Sequence, residues 1–152
     1  MDEKKVGIGE VKVEQGDVIL SAYGVGSCVV VIFYEEKKKV GGLAHILLPT
    51  GSEESTKNPH GAIKELLRRF NEMGVSKERI VAKIAGGATM FGDFNHSSIG
   101  RRNVIETKNI LESLSIPIVA EDVFGDWGRT VLFDLKSGEV RVKSYRHGEK
   151  IL

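Results

Sequence analysis

Cys28 is the only cysteine in this 152-residue chain, and it stands in the stretch "GVGSCVVV", residues 24–31. A thiol attacks a carbonyl as its thiolate, and free cysteine titrates near about 8.5, so a nucleophilic role needs a base. A free cysteine also packs well as a small core hydrophobe, and the residue alone fits either role. Gly24 and Gly26 favour the first, because glycine permits a sharp or left-handed turn that can lift the thiol out of the sheet. Backbone N–H groups at such a turn can hold an oxyanion, in the spirit of a nucleophile elbow, although the GxSxG pattern is absent.

The chain has four histidines. His45 lies in the apolar run "GLAHILLP", 17 positions after Cys28. A polar ring there costs free energy unless it is hydrogen-bonded, so a satisfied core histidine is the plain alternative. Cys28 and His45 fall on successive predicted strands joined by the charged turn "EEKKK" (35–39), and antiparallel neighbours of that length bring the two side chains opposite each other. The combination favours a Cys–His pair, and an imidazolium beside the thiol predicts titration well below about 8.5. His60 opens a helix, His96 lies in a glycine-bearing loop and His147 in the charged tail; each reads as solvated. No histidine pair has metal-ligand spacing with a carboxylate, and one cysteine cannot build a zinc site, so no metal is expected. "GIGE" at Gly7 and "AGG" at Ala85 are too short for a nucleotide fingerprint. Met90, Phe91 and Phe94 either cover the core or form a partner surface.

The elements that must position the pair follow from periodicity. Val18–Tyr23, Cys28–Tyr34 and Val40–Leu48 are apolar, β-rich runs of the kind buried on both faces of a sheet. Residues 50–59 are a polar loop, and Asn58-Pro59 is a helix-start signal. The helix runs to about Met73, with Ala62, Ile63, Leu66, Leu67 and Phe70 inward, and Gly74 stops it. Arg79–Ala85 reads as a strand and 86–100 as a loop. A second helix covers about Arg101–Leu114, with Val104, Ile105, Leu111 and Leu114 inward. Three strands close the chain, Pro117–Val123, Thr130–Leu135 and Glu139–Tyr145, the last two a hairpin over Lys136-Ser137-Gly138. The order predicts an α/β class in the broad sense, an α+β sandwich of mixed β-sheet layers with two main helices.

Length fits a single domain over 1–152 that buries roughly two-thirds of its unfolded surface. With 22 Lys and Arg against 21 Asp and Glu, the net charge of +1 gives no reason to expect nucleic acid. The charged N-terminus lacks the apolar core of a secretory signal, no apolar run reaches the roughly 20 residues of a membrane span, and a lone thiol suits a reducing compartment; the expectation is a cytoplasmic protein. Nothing resembles a heptad seam, which favours a monomer.

"GVGSCVVV", "GGLAHILLP", "AKIAGGATMF", "IGRRNV" and "IVAEDVFG" together resemble the chemoreceptor glutamine deamidases, the CheD family, over nearly the whole chain. The resemblance implies a fold like the catalytic domain of deamidating toxins and hydrolysis of glutamine side-chain amides to glutamate on chemotaxis receptors, with no cofactor. It implies Cys28 as nucleophile, His45 as base, and Gly26, Ser27, Gly86 and Gly87 around the substrate. Several members also bind the CheC phosphatase, a further partner to expect. The family usually carries a threonine six residues before the cysteine, which orients the histidine; here that position is Ala22. Ser21 is the neighbouring hydroxyl and the candidate third member, though a one-residue offset points to the opposite face of a regular strand unless a bulge redirects it. A backbone carbonyl can orient the ring instead. The alternatives are a receptor- or CheC-binding adaptor without catalysis, and a receptor glutamate methylesterase.

Overall fold

The computed structural model describes residues 2–90 and 98–152. Ten strands and two α-helices occur among them: β1 (Asp2–Lys5), β2 (Val11–Gln15), β3 (Val18–Val25), β4 (Val29–Glu35), β5 (Val40–Ile46), α1 (Pro59–Glu72), β6 (Val81–Gly86), α2 (Ile99–Ser113), β7 (Ile118–Val123), β8 (Arg129–Asp134), β9 (Glu139–Ser144) and β10 (Gly148–Ile151). They form two five-stranded sheets, one in the order β1-β3-β8-β9-β10 and the other β2-β5-β4-β6-β7. Both are mixed, because β1 runs parallel to β3 and β6 parallel to β7 while the other pairs are antiparallel. The expected α+β sandwich is thus three layers deep: sheet, sheet, helices.

The burial pattern explains the layering. From the first sheet, Leu20, Ala22, Val131 and Phe133 meet Val30, Ile32, Leu43 and Ala85 of the second, and all are buried. The other face of the second sheet presents Val29, Val31, Phe33, Ala44 and Ile46 to Ala62, Ile63, Leu66 and Phe70 of α1 and to Val104 and Leu111 of α2. Strand β5 is buried along its whole length and β4 nearly so, which is why their sequences are continuous apolar runs. Phe33 packs edge-on against Phe70 with ring centroids 5.9 Å apart.

Helix α1 begins where its cap chemistry directs. The Asn58 side chain accepts from the backbone N–H groups of His60 and Gly61, and Pro59 takes the first turn. Helix α2 starts at Ile99, two residues before the expected position, and its phase differs from the expectation. Asn103, Val104, Thr107 and Leu111 are wholly buried, whereas Ile105 is 46% exposed. Two polar residues occupy inward positions here, so a stripe drawn through the apolar residues alone is rotated from the real one. Strands β1, β2 and β10 lie outside the expected elements. Every residue of β1 and β10 is exposed and most are charged, a composition suited to sheet edges and poor in strand signal. No helix among the described residues is long and apolar enough to cross a membrane.

Candidate active site

Cys28 closes the turn between β3 and β4, and Gly24, at φ 64°, lies at the register shift in the end of β3 that leads into it. Its side chain packs in the layer between the sheets, beside Val30 and Leu43, and is 5% exposed. His45 sits on β5 directly opposite Val30. Cys28, one residue before the start of β4, packs with Val30 on the side of the strand that faces the first sheet. The residue directly opposite His45 is Val30, where the sequence expectation places Cys28.

The ring of His45 is 1% exposed, and its Nδ1 lies 3.1 Å from the Val6 carbonyl oxygen. A carbonyl only accepts, so Nδ1 carries the proton and Nε2 keeps its lone pair. Nε2 is buried and has no hydrogen-bond partner among the described residues. Val6 is itself held by its N–H, which donates to the Ser21 carbonyl at 2.7 Å. Nothing in the sequence marks Val6, because its contribution is a backbone atom set by the pairing of β1 with β3.

The Ser21 hydroxyl is directed away from His45. Ala22 faces the layer between the sheets, and Ser21 faces the outer side of the first sheet. There its Oγ donates to Glu3 Oε2 at 2.9 Å, and the Tyr23 hydroxyl donates to the same oxygen at 2.7 Å. The sheet has a register shift, but between Ala22 and Val25, past the point where it could turn Ser21 inward. The hydrogen bond to the His45 ring expected of a hydroxyl comes from the Val6 carbonyl.

Burial governs the titration of both groups. It pushes the Cys28 thiol up, against a smaller opposite pull from the residue's own backbone N–H. It pushes the His45 imidazole down, with the Val6 bond acting weakly the other way. Both shifts favour the uncharged forms, which reverses the lowered thiol expected from the residue types alone.

Gly86 and Gly87 are buried under the cysteine turn, where their backbone groups bind protein. The Gly87 N–H donates to the Cys28 carbonyl at 2.7 Å, and the Gly86 carbonyl accepts from Phe124. A Cβ on Gly86 would collide with the Cys28 carbonyl oxygen, and its φ is 112°. These glycines therefore buttress the turn that carries Cys28. The Gly26 carbonyl accepts from Ala88 N–H at 3.0 Å, and the Met90 side chain lies over Gly26. Ser27 lines a cleft of ≈ 220 Å³ with Ala88, Thr89, Met90 and Ser98. The remaining histidines that the structure describes lie apart from this turn. His60 Nε2 lies 3.0 Å from a Glu106 carboxylate oxygen, and His147 stacks on Trp127. His96, Phe91 and Phe94 lie outside the described residues.

The family described as CheD chemotactic sensory transduction matches residues 47–144, a span that begins after both Cys28 and His45. Full-length relatives cover what that match leaves out. A protein of Caldanaerobacter subterraneus subsp. tengcongensis named probable chemoreceptor glutamine deamidase CheD is 40% identical, over 97% of this chain and 96% of its own. A protein of the same name from Pyrococcus horikoshii is 41% identical, over 99% of this chain and 98% of its own. Among solved structures, the Bacillus licheniformis hypothetical protein YfiH aligns with a TM-score of 0.50 and 13% identity over 74% of this chain. The chain spans 49% of that structure, and the likeness is one of fold.

Proposed function

The chain belongs to the CheD family, and from that membership together with the site geometry we propose that it is a cysteine-dependent deamidase acting on glutamine side chains of chemotaxis receptors in the cytoplasm. The names of the relatives support the substrate. The observation that carries the chemistry is the buried His45 ring, whose Nδ1 is tied to the Val6 carbonyl while Nε2 stays an unpartnered base on the face of Cys28.

In this reading His45 Nε2 takes the thiol proton as Cys28 Sγ attacks the amide carbon of the glutamine side chain. The carbonyl π pair moves to oxygen, and a backbone N–H at the turn receives that charge. The imidazolium returns its proton to the leaving nitrogen, so ammonia departs and a thioester remains. Water, deprotonated by His45, attacks the thioester; the Sγ–C bond breaks, the thiol regains its proton and the product is glutamate. The neutral resting pair suits this sequence, because the thiolate forms only with a substrate in place.

The test is intact and peptide mass spectrometry of a chemoreceptor cytoplasmic fragment treated with wild type, Cys28→Ala or His45→Ala. The expected result is amide-to-acid conversion at specific glutamines by wild type and none by either variant. Conversion by Cys28→Ala would sink the nucleophile assignment. A folded wild type that binds the fragment or CheC but converts nothing would make the chain an adaptor, and release of methanol from methylated receptor with no ammonia from the amide would make it an esterase.

A further inference from the structure

Asn103, in the first half of α2, is wholly buried and points at the two chain segments that carry the site. Its Nδ2 donates to the Ser27 carbonyl at 2.9 Å and to the Leu47 carbonyl at 3.2 Å. Ser27 directly precedes the nucleophile, and Leu47 follows the base by two residues at the end of β5. Both partners only accept, which fixes the amide's orientation and leaves Oδ1 pointing away from them. Oδ1 is buried with no partner among the described residues. An unpaired buried carbonyl costs free energy, and an apolar side chain of similar shape would avoid it. Packing alone is therefore a poor account of an amide at this position.

The peptide plane supplies another. In a planar trans peptide the C=O and the following N–H point in opposite directions, and no cis bond occurs among the described residues. Asn103 draws the Ser27 carbonyl toward α2. The N–H of the same peptide belongs to Cys28 and must point away from the helix layer, toward the layer that holds the thiol. The neighbouring amides of Gly87 and Ala88 are spent on the Cys28 and Gly26 carbonyls, so neither serves an incoming oxygen, and the Cys28 N–H is the amide of the turn whose direction the Asn103 contact sets.

We propose that Asn103 is a positioning residue for the deamidation: by holding the Ser27 carbonyl it aims the Cys28 N–H at the oxygen of the attacked amide, and by holding the Leu47 carbonyl it fixes the base strand against the nucleophile's turn. This rests on Cys28 being the nucleophile. When the Sγ–C bond forms and the carbonyl pair moves onto oxygen, the aimed N–H receives the charge, so the contribution falls on turnover and leaves affinity alone.

The experiment compares Asn103→Ala and the less disruptive Asn103→Ser with wild type on the receptor fragment. Three quantities are read, kcat, KM and the iodoacetamide alkylation rate of Cys28, with kcat normalised to the folded fraction read from a thermal melt so that unfolded protein drops out. The expected result is a fall in kcat of about a hundredfold, the scale of a misplacement near 1 Å, with KM and the alkylation rate within about threefold of wild type. A variant with normalised kcat unchanged, or with kcat falling while the alkylation rate moves more than about threefold in either direction, would show Asn103 to be structural only and overturn the inference while the deamidase reading stands. A wild type without Cys28-dependent conversion would overturn both.

Discussion

At the scale of single residues, the site works through a backbone atom where a side chain is expected. Ala22 offers no hydroxyl, and the Ser21 hydroxyl is committed to Glu3 on the opposite face of the strand. Ser21 still matters, through its backbone: its carbonyl holds the Val6 N–H, and the Val6 carbonyl holds His45. Ser21→Ala preserves that whole chain of contacts. Its deamidation kcat/KM is expected within about threefold of wild type; a tenfold loss with the fold intact would return Ser21 to the catalytic group. The pair itself illustrates why residue types do not set a pKa. Cysteine beside histidine suggests a lowered thiol, but the interior of a sandwich penalises both charged forms, and here that penalty is the larger influence on each group.

At the scale of elements, the site is a junction of three connections. The β3–β4 turn carries Cys28, the end of β6 supplies the Gly86–Gly87 support beneath it, and α2 reaches in with Asn103. Gly86 is the tightest part of that junction. Its φ of 112° is closed to L side chains, and the space where a Cβ would go is filled by the Cys28 carbonyl and the Val25 side chain. Gly86→Ala should therefore cost more than about 2 kcal/mol of stability, and in the protein that still folds it should displace Cys28. Thermal melts and deamidation rates together check this. A variant with wild-type melting and wild-type activity would show that the turn has room the structure does not give it. The charged strand β1 belongs to the same junction, since it delivers Val6, although its own residues have no core to fill.

At the scale of the whole molecule, the buried pair sets how stability varies with pH. His45 is harder to protonate in the folded chain than in the unfolded one. As pH falls through about 6.5 the unfolded chain takes up the proton first, so stability is lost from there downward to the folded value. Cys28 is harder to ionise when folded. As pH rises through about 8.5 the unfolded thiol ionises first, and stability is lost above that point. The expectation is a plateau between the two, with each limb no steeper than about 1.4 kcal/mol per pH unit. Melting temperatures across this range should show Cys28→Ala without the alkaline limb and His45→Gln without the acid one. Limbs unchanged in both variants would remove the pair as their cause. Glu65, which Arg68 and Arg69 hold down at about 2, acts in a separate window: its contribution is present above about 4.3 and fades as pH falls further.

The sequence by itself determined the class of fold and singled out the two residues on which the proposed chemistry turns. The continuous apolar runs of β4 and β5 had to be covered on both faces, Asn58-Pro59 had to start a helix, and one thiol with one histidine in the neighbouring run left few other pairings. Periodicity and residue type carry that information because each element's burial is written along its own length. The edge strands, the inward polar face of α2, the Val6 carbonyl and the neutral state of the pair were decided only by the tertiary structure. Each depends on atoms far apart in the chain, such as Val6 and His45 or Ser27 and Asn103, and two of them are backbone groups that every residue possesses. A carbonyl has no residue type, so only the fold can say which one orients the ring.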